Sequence, residues 1–118
     1  MSLDDPSLET VGFVLRVRPG KEEEYLRRHD RIWPDMQQAL LASGILHYEI
    51  WLHAPSRMLF AHQIRRRGQT PTPEGEEVMA RWRVFMADVL EVDGDRPVRE
   101  ALSRQFRLVA QDGANGNR

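Results

Sequence analysis

Ile45-Leu46-His47-Tyr48-Glu49-Ile50-Trp51-Leu52-His53 is followed by Ala54-Pro55-Ser56-Arg57 and then by Met58-Leu59-Phe60-Ala61-His62-Gln63-Ile64. The two outer runs are rich in aromatic and β-branched residues and read as strands. The four residues between them carry proline and serine, which is turn chemistry. The segment therefore predicts a β-hairpin, with strands over 45–53 and 58–64. On the first strand Leu46, Tyr48, Ile50 and Leu52 share one face. Ile45, His47, Glu49, Trp51 and His53 share the other.

Helical patterns flank this hairpin. Upstream, a helix is expected over about 21–42. Lys21-Glu22-Glu23-Glu24 places acids in its first turn, where the helix dipole favours them. Tyr25 and His29 are four apart and fall on one face, and Trp33 extends the row. Pro34 cannot donate to the ladder and clashes with the carbonyl of Asp30, so a bend or restart is expected near 31–34. Leu26, Ile32, Met36 and Leu40 complete the apolar side, and Gly44 is a C-terminal stop. Downstream, 65–75 holds arginines, prolines and glycines and reads as an exposed loop. A second helix follows over 74–90, with Val78, Trp82, Phe85, Met86 and Val89 at helical spacing.

Strands close both ends. In 11–17, Val11, Phe13, Leu15 and Val17 share a face, and Arg18-Pro19-Gly20 ends the run. After a turn-rich connection over 92–98, a short last strand is expected at 104–109. Residues 1–10 read as a flexible N-terminus, 11–110 as one domain and 111–118 as a disordered tail. The order is β-α-β-β-α-β, the α+β ferredoxin-like arrangement: an antiparallel sheet with two helices on one face. Its other face is left bare, and Trp51 lies on it. Two sheets meeting face to face would cover that face, so a homodimer of the dimeric α+β barrel type is expected.

Composition narrows the function. The 118-residue chain carries a net charge of −1, so there is no broad basic surface for nucleic acid or an anionic membrane. It has no cysteine, which excludes thiol nucleophiles, disulfides and cysteine-bound metals and fits a cytoplasmic location. Lys21 is the sole lysine and sits at a helix start, a poor place for Schiff-base chemistry. No apolar run reaches membrane-spanning length, and the N-terminus has no signal-peptide pattern.

Spacing argues against several chemistries. His29, His47, His53 and His62 lie on three elements without HxH or HExxH spacing, so no metal site is expected. No glycine-rich loop follows a strand, and none of the serines lies in an elbow sequence. Acid–base chemistry without a cofactor remains. Tyr25, His29 and Tyr48 are the polar groups expected between helix and sheet. Tyr48 lies on an otherwise apolar strand face, where its hydroxyl needs a partner. Two readings stay open: a histidine satisfying a core tyrosine, or a polyhydroxylated ligand held between them.

Tyr25-Leu26-Arg27-Arg28-His29-Asp30-Arg31-Ile32-Trp33-Pro34 resembles the Tyr-x-x-x-His-x-x-Ile-Trp-Pro signature of the L-rhamnose mutarotase family. The similarity continues through the Tyr48 strand and Arg81-Trp82 to Gln105-Phe106-Arg107-Leu108, covering about 11–109. The resemblance implies a dimeric ferredoxin-like fold and interconversion of the α and β anomers of a sugar pyranose. It implies His29 as the proton donor, Tyr25 and Tyr48 as sugar-binding residues, and a tandem tryptophan pair at Trp82 and its neighbour. That neighbour is Arg83 here, and the 65–75 loop also departs from the family's usual sequence. The chemistry suits the residues, because mutarotation needs an acid and a base but no metal or cofactor. Two other classes share these features: a cofactor-free oxygenase or isomerase on the same fold, and a non-catalytic small-molecule binder.

Overall fold

The computed structural model of the chain describes residues 3–110. The tail over 111–118 lies outside the described residues. A four-stranded sheet is built from β1 (Leu8–Arg16), β2 (Ile45–His53), β3 (Met58–Arg66) and, at the far edge, the short Glu100–Leu102 strand. The spatial order is β2, β3, β1, then Glu100–Leu102, and every neighbouring pair is antiparallel. Helices α1 (Glu22–Asp30), α2 (Pro34–Ala42) and α3 (Pro73–Met86) cover one face. This is the expected ferredoxin-like arrangement.

Local chemistry sets each boundary. α1 ends at Asp30, and Pro34 opens α2 at the first helical position, where its missing N–H costs nothing. The expected single helix is therefore two, joined by 31–33. α2 stops at Gly44, whose φ of +102° favours glycine; a Cβ there would meet the Gln69 side chain at 2.9 Å. The Thr72 hydroxyl caps α3 by accepting the Gly75 N–H at 3.0 Å, ahead of Pro73 in the first turn. Beyond α3, Arg18 donates from Nε to the carbonyls of Ala87 and Leu90, at 3.1 and 2.8 Å. The first is the carbonyl of the residue that caps the helix end, and the second belongs to the turn beyond it.

The core lies between the helices and the sheet. Phe13, Leu15 and Val17 from the first strand and its exit pack with Leu59 and Ala61 of β3. Tyr25, Met36, Trp82, Met86, Val89 and Leu90 meet them from the helical side. Arg28 ties α1 to the end of α3. It bonds Glu24 at 2.7 Å, the Phe85 carbonyl at 2.7 Å and Asp88 at 2.7 Å, and its guanidinium carbon lies 4.5 Å from the centre of the Phe85 ring.

Four expectations need correcting. β1 begins at Leu8, within the stretch read as flexible, because 8–10 pair with 64–66 of β3. A β-bulge between Ile45 and His47 reverses the facing of the first residues of β2. Ile45 is therefore buried and Leu46 exposed, the opposite of simple alternation. The 92–98 connection contains a small hairpin of β4 (Val92–Asp93) and β5 (Arg96–Pro97). The last strand, β6, is Glu100–Leu102, not 104–109. It pairs with 12–14 of β1. The segment after it is held by Arg107, which bonds the Leu3 carbonyl at 3.1 Å and the Thr10 hydroxyl. Those contacts, one to the segment ahead of β1 and one to β1 itself, take the place of ladder pairing.

Candidate active site

α1 carries Tyr25 and His29 one turn apart on its inward face, with ring centroids 4.3 Å from each other. Tyr25 is buried, and burial pushes its phenol pKa well up, with the neighbouring Tyr48 adding to the effect. Tyr25 from α1 lies in the core cluster, and Tyr48 from β2 packs against that same cluster. His29 is half-buried, and its Nδ1 lies 3.2 Å from the Tyr25 carbonyl. A carbonyl only accepts, so Nδ1 carries the proton and Nε2 keeps a lone pair. Burial holds the His29 pKa below its ordinary value, against smaller opposing effects of that hydrogen bond and of Asp30.

Trp82 of α3 stands edge-on to His29 at 5.5 Å between ring centroids and edge-on to Trp33 at 5.0 Å. Phe85 closes the group, 5.5 Å from Trp82 and 5.3 Å from Trp33. The expected row Tyr25–His29–Trp33 is thus joined through Trp82, because the break before Pro34 turns Trp33 onto α3. Trp82 makes a flat apolar wall beside the imidazole.

The sheet supplies the floor. Tyr48 lies edge-on to Phe13 at 6.3 Å. Burial raises its phenol pKa, opposed by a hydrogen bond from Gln63 and by the positive charge of Arg99. Gln63 lies directly opposite Tyr48 in the ladder and is itself buried. Sequence reasoning missed Gln63, although a polar residue between Ala61 and Arg65 on the inward face of β3 was a usable signal. It also missed Arg99, which follows the small hairpin and carries no periodic pattern.

The structure brings Tyr25, His29, Tyr48 and Trp82 together. Arg83 is half-buried on α3. Among the described residues, the cation–ring contacts are made by Arg28 and Arg99 and not by Arg83. A wide groove on the opposite face of the sheet is lined by Trp51, Phe60, Leu102, Phe106 and Leu108. It is largely apolar, whereas the acid–base groups stand on the helical side.

A half-buried imidazole with a free lone pair, two neutral phenols and an indole wall suit a neutral, hydroxyl-rich ring that exchanges a proton. A family description reading L-rhamnose mutarotase matches residues 10–108. An L-rhamnose mutarotase of Burkholderia orbicola is 41% identical over 109 residues, covering 86% of this chain and 99% of that protein. One from Burkholderia ambifaria is 40% identical over the same length and shares. The crystal structure of an L-rhamnose mutarotase from Formosa agariphila superposes with a TM-score of 0.75 at 29% identity, covering 86% of this chain and 99% of that one. The chain therefore belongs to the L-rhamnose mutarotase family, and it is an isomerase of the sugar mutarotase class.

Proposed function

We propose that the chain interconverts the α and β anomers of L-rhamnose, with His29 moving the proton and Tyr25, Tyr48 and Trp82 holding the sugar. The observation that carries this reading is the neutral, half-buried His29 set between Tyr25 and Trp82. The Nε2 lone pair takes the proton of the anomeric hydroxyl as the bond from C1 to the ring oxygen breaks. The imidazolium then gives that proton to the ring oxygen, leaving the open-chain aldehyde. Rotation about the C1–C2 bond presents the other carbonyl face, and the same steps in reverse close the ring. Each proton taken is returned and no electrons change hands, so the residues need no cofactor for this chemistry. Tyr25 and Tyr48, their pKa values raised by burial, stay protonated and donate to sugar hydroxyls through neutral pH.

Saturation transfer between the α and β anomeric NMR signals tests this across a panel of sugars. L-rhamnose should exchange fastest. Arg83 is the residue to vary in the same assay, because a guanidinium in place of an indole removes stacking area and adds donors. If Arg83 reaches the sugar, Arg83→Trp raises L-rhamnose exchange severalfold. Fast exchange in the wild type that is unchanged in Arg83→Trp shows that Arg83 does not set specificity.

A homodimer through the open sheet face belongs to the same reading. Trp51 is 65% exposed in the single chain and Leu108 84%, and Phe60, Leu102 and Phe106 extend the patch. Stable interfaces of this kind bury at least about 1,000 Å² in total, which a sheet face of this size can supply. Sedimentation at micromolar concentration should give a dimer, and Trp51→Glu should give a folded monomer. A wild-type monomer would end the proposal.

A further inference from the structure

We propose that Arg99 is a substrate-binding and specificity-determining side chain of this site, gripping sugar hydroxyls from the sheet side while His29 works from the helical side. The inference rests on the sugar-exchange reading above and adds a residue to it.

Arg99 lies between β5 and β6, one residue before the edge strand. The ladder pairs Ala101 with Phe13, so residue 99, two positions earlier, belongs to the same inward face. Its guanidinium carbon stands 3.6 Å from the centre of the Phe13 ring. That ring is the one that meets Tyr48 edge-on, so the cation reaches the floor of the site. Its charge is felt at the Tyr48 hydroxyl, and Tyr48 in turn acts on Arg99.

Other arginines on and beside the sheet are taken up by protein groups. Arg65 donates to the Ser43 and Gln69 carbonyls at 3.1 and 2.8 Å, and Arg16 pairs with Glu100 at 3.0 Å. Arg28 is spent on Glu24 and Asp88. Arg99 differs from them. Among the described residues no carboxylate acts on it; its electrostatic neighbours are the neutral phenol of Tyr48 and the like charge of Arg65. Partial burial disfavours its cationic form, Tyr48 favours it, and the like charge of Arg65 disfavours it. A guanidinium stacked on one face by an aromatic ring still directs its five N–H donors outward in the ring plane. A hydroxyl-rich ligand lying on Tyr48 offers acceptor oxygens at that edge. Charged donors make the stronger hydrogen bonds to such oxygens, so the cation selects for hydroxyl pattern.

The test uses the full-length protein and three variants: Arg99→Met, Arg99→Lys and Phe13→Leu. Arg99→Met keeps the stem over Phe13 but removes every donor. Two readouts run together, L-rhamnose binding by the fluorescence of Trp82 and Trp33, and α/β exchange by saturation transfer. Arg99→Met should weaken binding and raise KM by about tenfold, the loss expected for one charge-assisted hydrogen bond, with kcat within about twofold. Arg99→Lys should recover part of the affinity. A purely structural stacking role predicts the reverse: unchanged KM in Arg99→Met, with Arg99→Met and Phe13→Leu sharing only a fall in Tm. That result overturns the proposal. If the wild type binds L-rhamnose without exchanging it and Arg99→Met still weakens binding, the sugar-exchange reading fails and the role of Arg99 stands. If the wild type exchanges the sugar and Arg99→Met does so with unchanged KM, the reading stands and Arg99 is excluded. A wild type that neither binds nor exchanges L-rhamnose overturns both.

Discussion

His29→Ala is expected to slow anomer exchange by about 10²–10⁴-fold, the range a positioned acid–base group supplies, while the fold persists. The ring of His29 is half-buried on the inward face of α1, and α1 is anchored separately by Arg28 through Glu24, Asp88 and the Phe85 carbonyl. Losing the imidazole therefore removes the proton carrier without unpinning the helix. Circular dichroism should be unchanged while saturation transfer falls. Exchange at the wild-type rate in this variant would remove His29 from the chemistry. The pH dependence follows from the same group. Burial depresses its pKa, so the neutral imidazole is the resting form at pH 7. Exchange should be level from neutrality upward. It should fall only when acid protonates Nε2, below the ordinary histidine value of about 6.5. Stability moves in the same direction. A group with a depressed folded pKa stabilises fully above its unfolded pKa and loses that contribution as pH falls through the folded one. A rate that rose toward acid would mean that the resting imidazolium is the active form.

Trp82→Ala is expected to have the largest effect on stability among the site residues. Trp82 is 8% exposed, and it touches His29, Trp33 and Phe85 while belonging to the main core. Truncating a buried tryptophan costs about 3–5 kcal/mol, which corresponds to a fall in Tm of roughly 12–20 °C for a domain of this size. Exchange should be lost as well, because the wall beside the imidazole disappears and Trp33 loses the partner that holds it. Trp82→Phe separates the two effects. It keeps an aromatic wall and should retain most of the Tm while binding the sugar more weakly. Thermal melting read beside exchange checks both. A small Tm change in Trp82→Ala would show that the cluster collapses to fill the space.

The resemblance and the element order were legible because they rest on local signals. Tyr25 and His29 share a face because four residues nearly complete a helical turn, and their rings do meet. Pro34 announced the break that became the start of α2. The hairpin at 45–66 followed from turn chemistry and the strand propensity of its two arms. Where the reading failed, the deciding interaction was distant in sequence. Ile45 turned inward because a bulge inserted a residue against β3. The last strand settled at Glu100–Leu102, where β1 offered an open edge beside Gly12, even though 104–109 had comparable strand character.

The sequence by itself determined the order of elements, the inward face of α1 and the presence of a histidine among aromatic residues. Each of these depends on spacing within a single turn or a single strand. Only the tertiary structure decided which groups complete the site. Tyr48 and Tyr25 meet at the shared core between helices and sheet, Trp82 reached His29 because Arg28 pins α1 to the end of α3, and Gln63 reached Tyr48 through ladder register. Arg99 came to rest on Phe13 only because the edge strand folded back beside β1. Contacts between residues that lie far apart along the chain leave no period in it. They form when burial of the shared apolar face brings the elements together.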